Sequence, residues 1–189
     1  MIKNNIDQGS NLNNKFISIL FENFVIDIQI QSQYFYKEIL KLKNSGKFEK
    51  IFENVKTLIN TESLEKKLYF SILLTDDKEI TKINKRSRNK PYPTNVLSFP
   101  STDLKKNNNL RHNIFTNEIF FGDIVISIER ILFEASQENK KTNDHFLHIF
   151  VHGILHLLGF DHKSDDQANY MELTEIEILN NLDIKNPYY

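Results

Sequence analysis

One eleven-residue run, His152-Gly153-Ile154-Leu155-His156-Leu157-Leu158-Gly159-Phe160-Asp161-His162, constrains this chain more than any other. On a helix, residues four apart stack on one face with Cβ atoms about 5–6 Å apart. That separation lets the imidazoles of His152 and His156 share one metal ion, since Zn–N bonds are about 2.0–2.1 Å. The helix must then stop if a third ligand is to return. Gly159 is placed for this, because glycine adopts the left-handed conformation of a helix end without a Cβ penalty, and Phe160 can pack back on the last turn. The turn then delivers His162. Three neutral imidazoles leave a fourth position open, which is the catalytic rather than the structural arrangement of zinc. The chain contains no Cys, so sulfur-based zinc sites are excluded and any such site here is built from His and carboxylates. The plainer alternative is a helix whose histidines are surface or core residues.

The spacing is that of extended zinc-protease motifs with one change. Those motifs place Glu directly after the first His as general base. Here that position is Gly153. The change leaves a metal site possible and removes the usual peptidase base.

The 189 residues fit one domain with at most a tail. Residues 1–15 are polar and Asn-rich and read as a mobile N-terminal extension, leaving 16–189 as a single domain. The first residues carry no apolar secretory core, and no stretch reaches the roughly 20 apolar residues of a membrane span, so the expected location is cytoplasmic. From Phe24 to Gln31, Ile26, Ile28 and Ile30 alternate with Asp27, Gln29 and Gln31, a half-buried strand. Tyr34–Lys43 and Phe48–Asn60 read as helices separated at Gly46. Leu68–Leu74 is strand-like, and Thr75-Asp76-Asp77 offers the cap of a helix carrying Ile80 and Ile83. Val96–Phe99 reads as a short strand, 101–113 as a loop, and Ile119–Ile128 as a strand with a kink or bulge at Gly122. Helices close the chain at about 129–139, 143–158 and 165–181. The last has Ser164 or Asp165 as cap, with Ala168, Met171, Ile176, Leu179 and Leu182 on its inner side. The pattern is α+β: a small mixed β-sheet packed with helices, with a zincin-like metal-binding helix followed by a Gly turn.

The metal segment resembles the signature of the YbeY family of bacterial endoribonucleases, which act in maturation of small-subunit ribosomal RNA. Pro93-Thr94-Asn95-Val96-Leu97-Ser98-Phe99-Pro100 resembles that family's central segment, and Gly122-Asp123-Ile124-Val125-Ile126 its Gly-Asp-Ile strand. Met171-Glu172, with Glu175, Glu177 and Ile178, resembles its last helix. Together these cover about residues 68–183. The resemblance implies one Zn²⁺ per chain held by His152, His156 and His162, and an arginine near the metal, which on spacing is Arg88. It also implies an endoribonuclease specific for single strands, acting in 16S rRNA 3′-end maturation and ribosome quality control. The implied partners are RNA (pre-16S rRNA) and the small ribosomal subunit, with no DNA and no membrane.

The formal net charge of −1 conceals an uneven distribution. Residues 82–111 hold Lys82, Lys85, Arg86, Arg88, Lys90, Lys105, Lys106 and Arg111 against Asp103 alone, a local +7 that leaves −8 for the rest. A basic segment can be a solvated face; beside a metal site it also suits phosphate binding. Lys82, Lys85, Arg86 and Lys90 are candidate RNA-binding residues. Arg88 is the candidate catalytic residue, because a guanidinium holds two phosphate oxygens at once and stays charged. Tyr92 and Phe99 are candidates for base stacking, with a core role the alternative for Phe99. The attacking group is either metal-activated water or the ribose 2′-OH. With no Glu at 153, His148, one turn before His152, is a candidate catalytic proton shuttle or a support to the ligands, with a hydrogen-bonded structural histidine the alternative. Asp161 and Asp123 are candidates for orienting a ligand imidazole; for Asp161 the alternative is a turn cap. His145 and His112 read as surface residues. Two other functions remain open at this point: a zinc-dependent peptidase or other hydrolase, and a non-catalytic ribosome-associated zinc module.

Overall fold

The computed structural model describes residues 14–31, 33–59, 65–101 and 118–188. Among them lie five strands and six helices: β1 (Lys15–Phe21), β2 (Phe24–Ile30), α1 (Gln33–Asn44), α2 (Lys47–Leu58), β3 (Lys67–Thr75), α3 (Asp77–Arg88), β4 (Val96–Pro100), β5 (Glu118–Ser127), α4 (Ile128–Gln137), α5 (Thr142–Leu157) and α6 (Asp165–Asn180). The strands form one mixed sheet in the order β1-β2-β3-β5-β4. β2, β3 and β5 run parallel, while β1 and β4 are antiparallel at the two edges.

The α+β expectation holds, and most elements stand where their patterns put them. Asp76 caps α3, its side chain accepting the Glu79 N–H at 2.7 Å. Gly46 takes a left-handed φ of 73° between α1 and α2. Gly122 sits at the expected irregularity: β3 and β5 slip register there, with Tyr69 opposite Phe120 but Phe70 opposite Gly122. At a φ of 137°, a Cβ on Gly122 would lie 2.2 Å from the Phe99 carbonyl oxygen, so no side chain fits. β1 is absent from the sequence-based expectation. Its residues Phe16, Ile17, Ile19, Leu20 and Phe21 are apolar on both faces, so alternation does not mark them. Only Ile17 and Ile19 are buried; Phe16 and Leu20 stay open to solvent at the sheet edge. Lys15 therefore already belongs to the domain, and residues 1–13 lie outside the described part.

Alternation sorts the sheet's two faces. Leu68, Phe70, Ile72 and Leu74 of β3 join one large core with residues of α1, α2, α4, α5 and α6. Its centre is aromatic: Phe70 stacks on Phe121 at 4.8 Å between centroids, and Phe52 and Phe150 meet edge to face. The opposite face carries a smaller cluster in which Ile80 and Ile83 of α3 pack on Leu73, Leu97, Phe99 and Val125. Phe99 thus takes the core role, and Tyr92 remains exposed.

α5 is the helix that positions the site. From His145 to Leu157 every residue is buried except His148, His152 and His156, which form one partly open stripe. Gly153 faces the sheet, where a Cβ would lie 3.1 Å from Ile124 Cγ2 and 3.4 Å from Ser98 Oγ. The missing side chain lets α5 approach β4 and β5, and Ser98 Oγ donates to the Gly153 carbonyl at 3.2 Å. The place that holds a catalytic Glu in peptidases here has no room for one.

Candidate metal centre

α5 ends as its sequence dictates. Gly159 has φ 95°, the Phe160 N–H reaches back to the Leu155 carbonyl at 3.0 Å, and the Gly159 N–H reaches that of His156 at 3.1 Å. This double bond pattern closes the helix and satisfies its last carbonyls. The chain then turns and brings His162 beside the helix. His152, His156 and His162 offer ring nitrogens all within 4.8 Å of one another. Their ring centroids are 4.6, 5.0 and 5.7 Å apart.

The hydrogen bonds decide which nitrogens face inward. His152 Nδ1 lies 2.8 Å from Glu175 Oε1, and His156 Nδ1 lies 3.0 Å from the Phe160 carbonyl oxygen. Both partners are acceptors, so both Nδ1 atoms carry the proton. The two Nε2 atoms then face each other as lone pairs at 3.0 Å. Neither can donate to the other, and the arrangement calls for a cation between them. Two ligands of a tetrahedral zinc would sit about 3.3 Å apart, close to the spacing here. The three imidazoles therefore fit a metal ion. Burial, reinforced by the neighbouring His152, lowers the pKa of His156 and favours the neutral form that ligates.

Glu175 of α6 is fully buried beneath the triad. Burial alone would raise its pKa, but hydrogen bonds from His148, His152 and Tyr188 overcome that and hold it down at about 2. Burial, together with the same carboxylate, pushes the Tyr188 phenol well up. With Ile176 and Ala168 expected on the inner side of the helix, Glu175 has no role in the sequence-based expectation. Both are only half-buried; the inner stripe is Met171, Thr174, Glu175, Ile178 and Leu179, with Leu182 buried just beyond. An acidic residue in register with Met171 and Ile178 was the available signal. Tyr188 carried none.

The other expected site residues fall as follows. His148 Nε2 lies 2.9 Å from Glu175 Oε2, the carboxylate oxygen that does not bond His152. His145 is not a surface residue: it is buried, with Nε2 2.9 Å from Glu134 Oε2. Among the described residues Asp161 makes no hydrogen bond to a ligand imidazole. Its carboxylate accepts the His162 backbone N–H at 2.9 Å and pairs with Lys163, so it caps its own turn. Asp123 points away from α5, because its neighbour Ile124 faces that helix and strand residues alternate. Arg88 ends α3 and is exposed. α3 starts where Ser127 Oγ donates to Asp77 at 2.6 Å and runs back past Leu97 and Phe99. Leu157 of α5 reaches Gly122, opposite Pro100 of β4. α3 thus packs on the sheet face opposite α5, with Arg88 at its C-terminal end. Lys85, Arg86 and Lys90 are exposed near Arg88, and Lys82 pairs with Glu79 at 2.6 Å. Lys105, Lys106, Arg111 and His112 lie outside the described residues. Phe160, whose carbonyl holds His156, stacks in parallel on the exposed Tyr170 at 5.5 Å.

Fold and site together define an α+β domain with a three-histidine candidate metal centre at the end of a buried helix. Comparison with known proteins agrees. A family model described as Endoribonuclease YbeY matches residues 31–183. A protein named Endoribonuclease YbeY from Bartonella bacilliformis is 48% identical over 118 residues, 62% of this chain and 70% of that one. Another of that name, from Francisella philomiragia, is 42% identical over 147 residues, 78% of this chain and 87% of that one. The solution structure of TM1509 from Thermotoga maritima has the same fold, with a TM-score of 0.51, 23% identity and coverage of 84% of this chain and 91% of that one. The chain belongs to the endoribonuclease YbeY family.

Proposed function

We propose that this protein is a zinc-dependent endoribonuclease that cleaves single-stranded RNA, acting in the cytoplasm on the 3′ end of pre-16S rRNA within the small ribosomal subunit and in ribosome quality control. The observation that carries the reading is the pair of Nε2 lone pairs converging at 3.0 Å, with His162 completing the set. His152, His156 and His162 would hold the ion. Bound there, zinc would supply Lewis-acid chemistry, making a water more acidic and neutralising a phosphate oxygen. Arg88 is suited to grip two phosphate oxygens and to offset the extra negative charge of a five-coordinate phosphorus. Lys85, Arg86 and Lys90 extend that positive surface along the phosphate backbone. Membership of the family favours RNA over peptide, as does the close packing of Gly153 against Ile124, which leaves no room for a peptidase base. No helix among the described residues is long and apolar enough to cross a membrane.

The test is cleavage of structured and unstructured RNA by wild type, Arg88→Ala and His156→Ala, with zinc content measured on each. The expected result is loss of cleavage in both variants, with zinc lost only from His156→Ala. Arg88→Ala should lower the rate by about 100- to 1,000-fold, the usual effect of deleting one group that stabilises transition-state charge. Equal cleavage by all three proteins, or cleavage of casein and not of RNA, refutes the proposal.

A further inference from the structure

A fully buried carboxylate is an unusual choice for the inner face of a helix, where Met or Leu would pack without desolvating a charge. Glu175 occupies such a place between Met171 and Ile178 and is 0% exposed. It persists because three donors satisfy it. His152 Nδ1 donates to Oε1 at 2.8 Å. His148 Nε2 and the Tyr188 hydroxyl donate to Oε2 at 2.9 and 2.6 Å. Tyr188 lies beyond α6, and its ring also meets that of His148 edge to face at 5.6 Å.

We propose that Glu175 is a positioning residue of the metal centre: one oxygen fixes His152 as the Nδ1–H tautomer, while His148 and Tyr188 lock the other, so that the segment after α6 helps set metal affinity. The inference rests on the metal reading above and deepens it.

An imidazole carries its single proton on either nitrogen. Without an acceptor at Nδ1, the His152 proton is free to occupy Nε2, the atom that faces His156 across the site. The Oε1 contact removes that option, holds the ring plane, and places a negative charge behind the ligand. His156 obtains the same service from the Phe160 carbonyl, which no side-chain substitution removes. Among the described residues, Glu175 is the one side chain outside the triad that bonds a triad imidazole. Oε2 matters because a carboxylate gripped at one oxygen can still rotate. His148 and Tyr188 stop that rotation from two elements, α5 and the chain after α6.

The test uses the full chain with zinc alone as ligand. Zinc affinity is measured by competition with a chromophoric chelator for wild type, Glu175→Ala, Glu175→Gln and Tyr188→Phe. Metal-free thermal midpoints are recorded beside it, and long-range ¹H–¹⁵N NMR reads the histidine tautomers of the wild type. Glu175→Ala should bind zinc about 10- to 100-fold more weakly, the usual effect of deleting an outer partner of a ligand. Glu175→Gln should lose less, because its amide oxygen can still accept the His152 N–H. Tyr188→Phe, which keeps the ring packing, should lose about 2- to 10-fold, the worth of one hydrogen bond. The His152 proton should sit on Nδ1 with and without zinc. A folded Glu175→Ala with wild-type affinity, or a His152 proton on Nε2, overturns the proposal. Should Glu175→Ala not fold, the wild-type tautomer and Tyr188→Phe decide it. A wild type that binds no zinc removes the metal reading and this proposal with it. Tight wild-type binding matched by all the variants removes this proposal alone.

Discussion

The two halves of α5 use the same residue differently. In the first half, His145 and His148 engage Glu134 of α4 and Glu175 of α6 through Nε2, the nitrogen farthest from the backbone. Their outer nitrogen is occupied, and they tie α5 to its neighbours. In the second half, His152 and His156 engage Glu175 and the Phe160 carbonyl through Nδ1, which turns Nε2 into a shared opening. All four lie within twelve residues of one buried helix. What separates a tether from a metal ligand is which ring nitrogen the surroundings claim; for His145, His148 and His152 a carboxylate of another helix makes that choice, and for His156 the Phe160 carbonyl of the turn that follows α5 makes it.

The comparison can be broken by substitutions in each half. The largest effect should come from His156→Ala, which removes a ligand. Zinc affinity, read by chelator competition, should fall beyond the roughly 100-fold that loss of an outer partner causes. The metal-free thermal midpoint should change little, because His156 is only half-buried and bonds one carbonyl. His145→Ala should do the reverse. It leaves Glu134 without its buried partner and opens a small void, so urea unfolding should show a loss of about 1–3 kcal/mol with zinc affinity unchanged. A large fall in zinc affinity in His145→Ala would erase the distinction between the halves.

The remaining two substitutions sharpen the picture. Gly153→Ala puts a methyl 3.1 Å from Ile124 and should destabilise by about 1–3 kcal/mol through overpacking, measured by the same urea titration. It reports on the sheet-facing side of the metal-binding half. Gly159→Ala has space around it, but its φ of 95° disfavours a side chain. A loss of about 1 kcal/mol is expected, with a small drop in zinc affinity because the turn presents His162.

Much of the fold is legible in local pattern. Alternation marks β2, apolar periodicity marks α2, and Asp76 and Gly46 punctuate as their chemistry requires. The triad is legible because its geometry is local: a helix repeat places His152 and His156 together, and one glycine turn returns His162. β1 escaped because an edge strand with apolar residues on both faces carries no alternation. The register of α6 is not legible because Ile176 and Ile178 are equally plausible core residues by composition, and only the register that buries Ile178 turns Glu175 inward.

By itself, then, the sequence determined the α+β class, the helix that ends at Gly159, and the three imidazoles at one end of it. Each follows from backbone preferences acting over a few residues. Only the tertiary structure decided that Gly153 is a packing contact, that Asp123 faces away from α5, and that His145 is a buried tether. It alone brought Glu175 and Tyr188 behind His152. These depend on which faces meet across the sheet and between helices, and a hydrogen bond spanning α5 and α6 leaves no periodic mark on either segment.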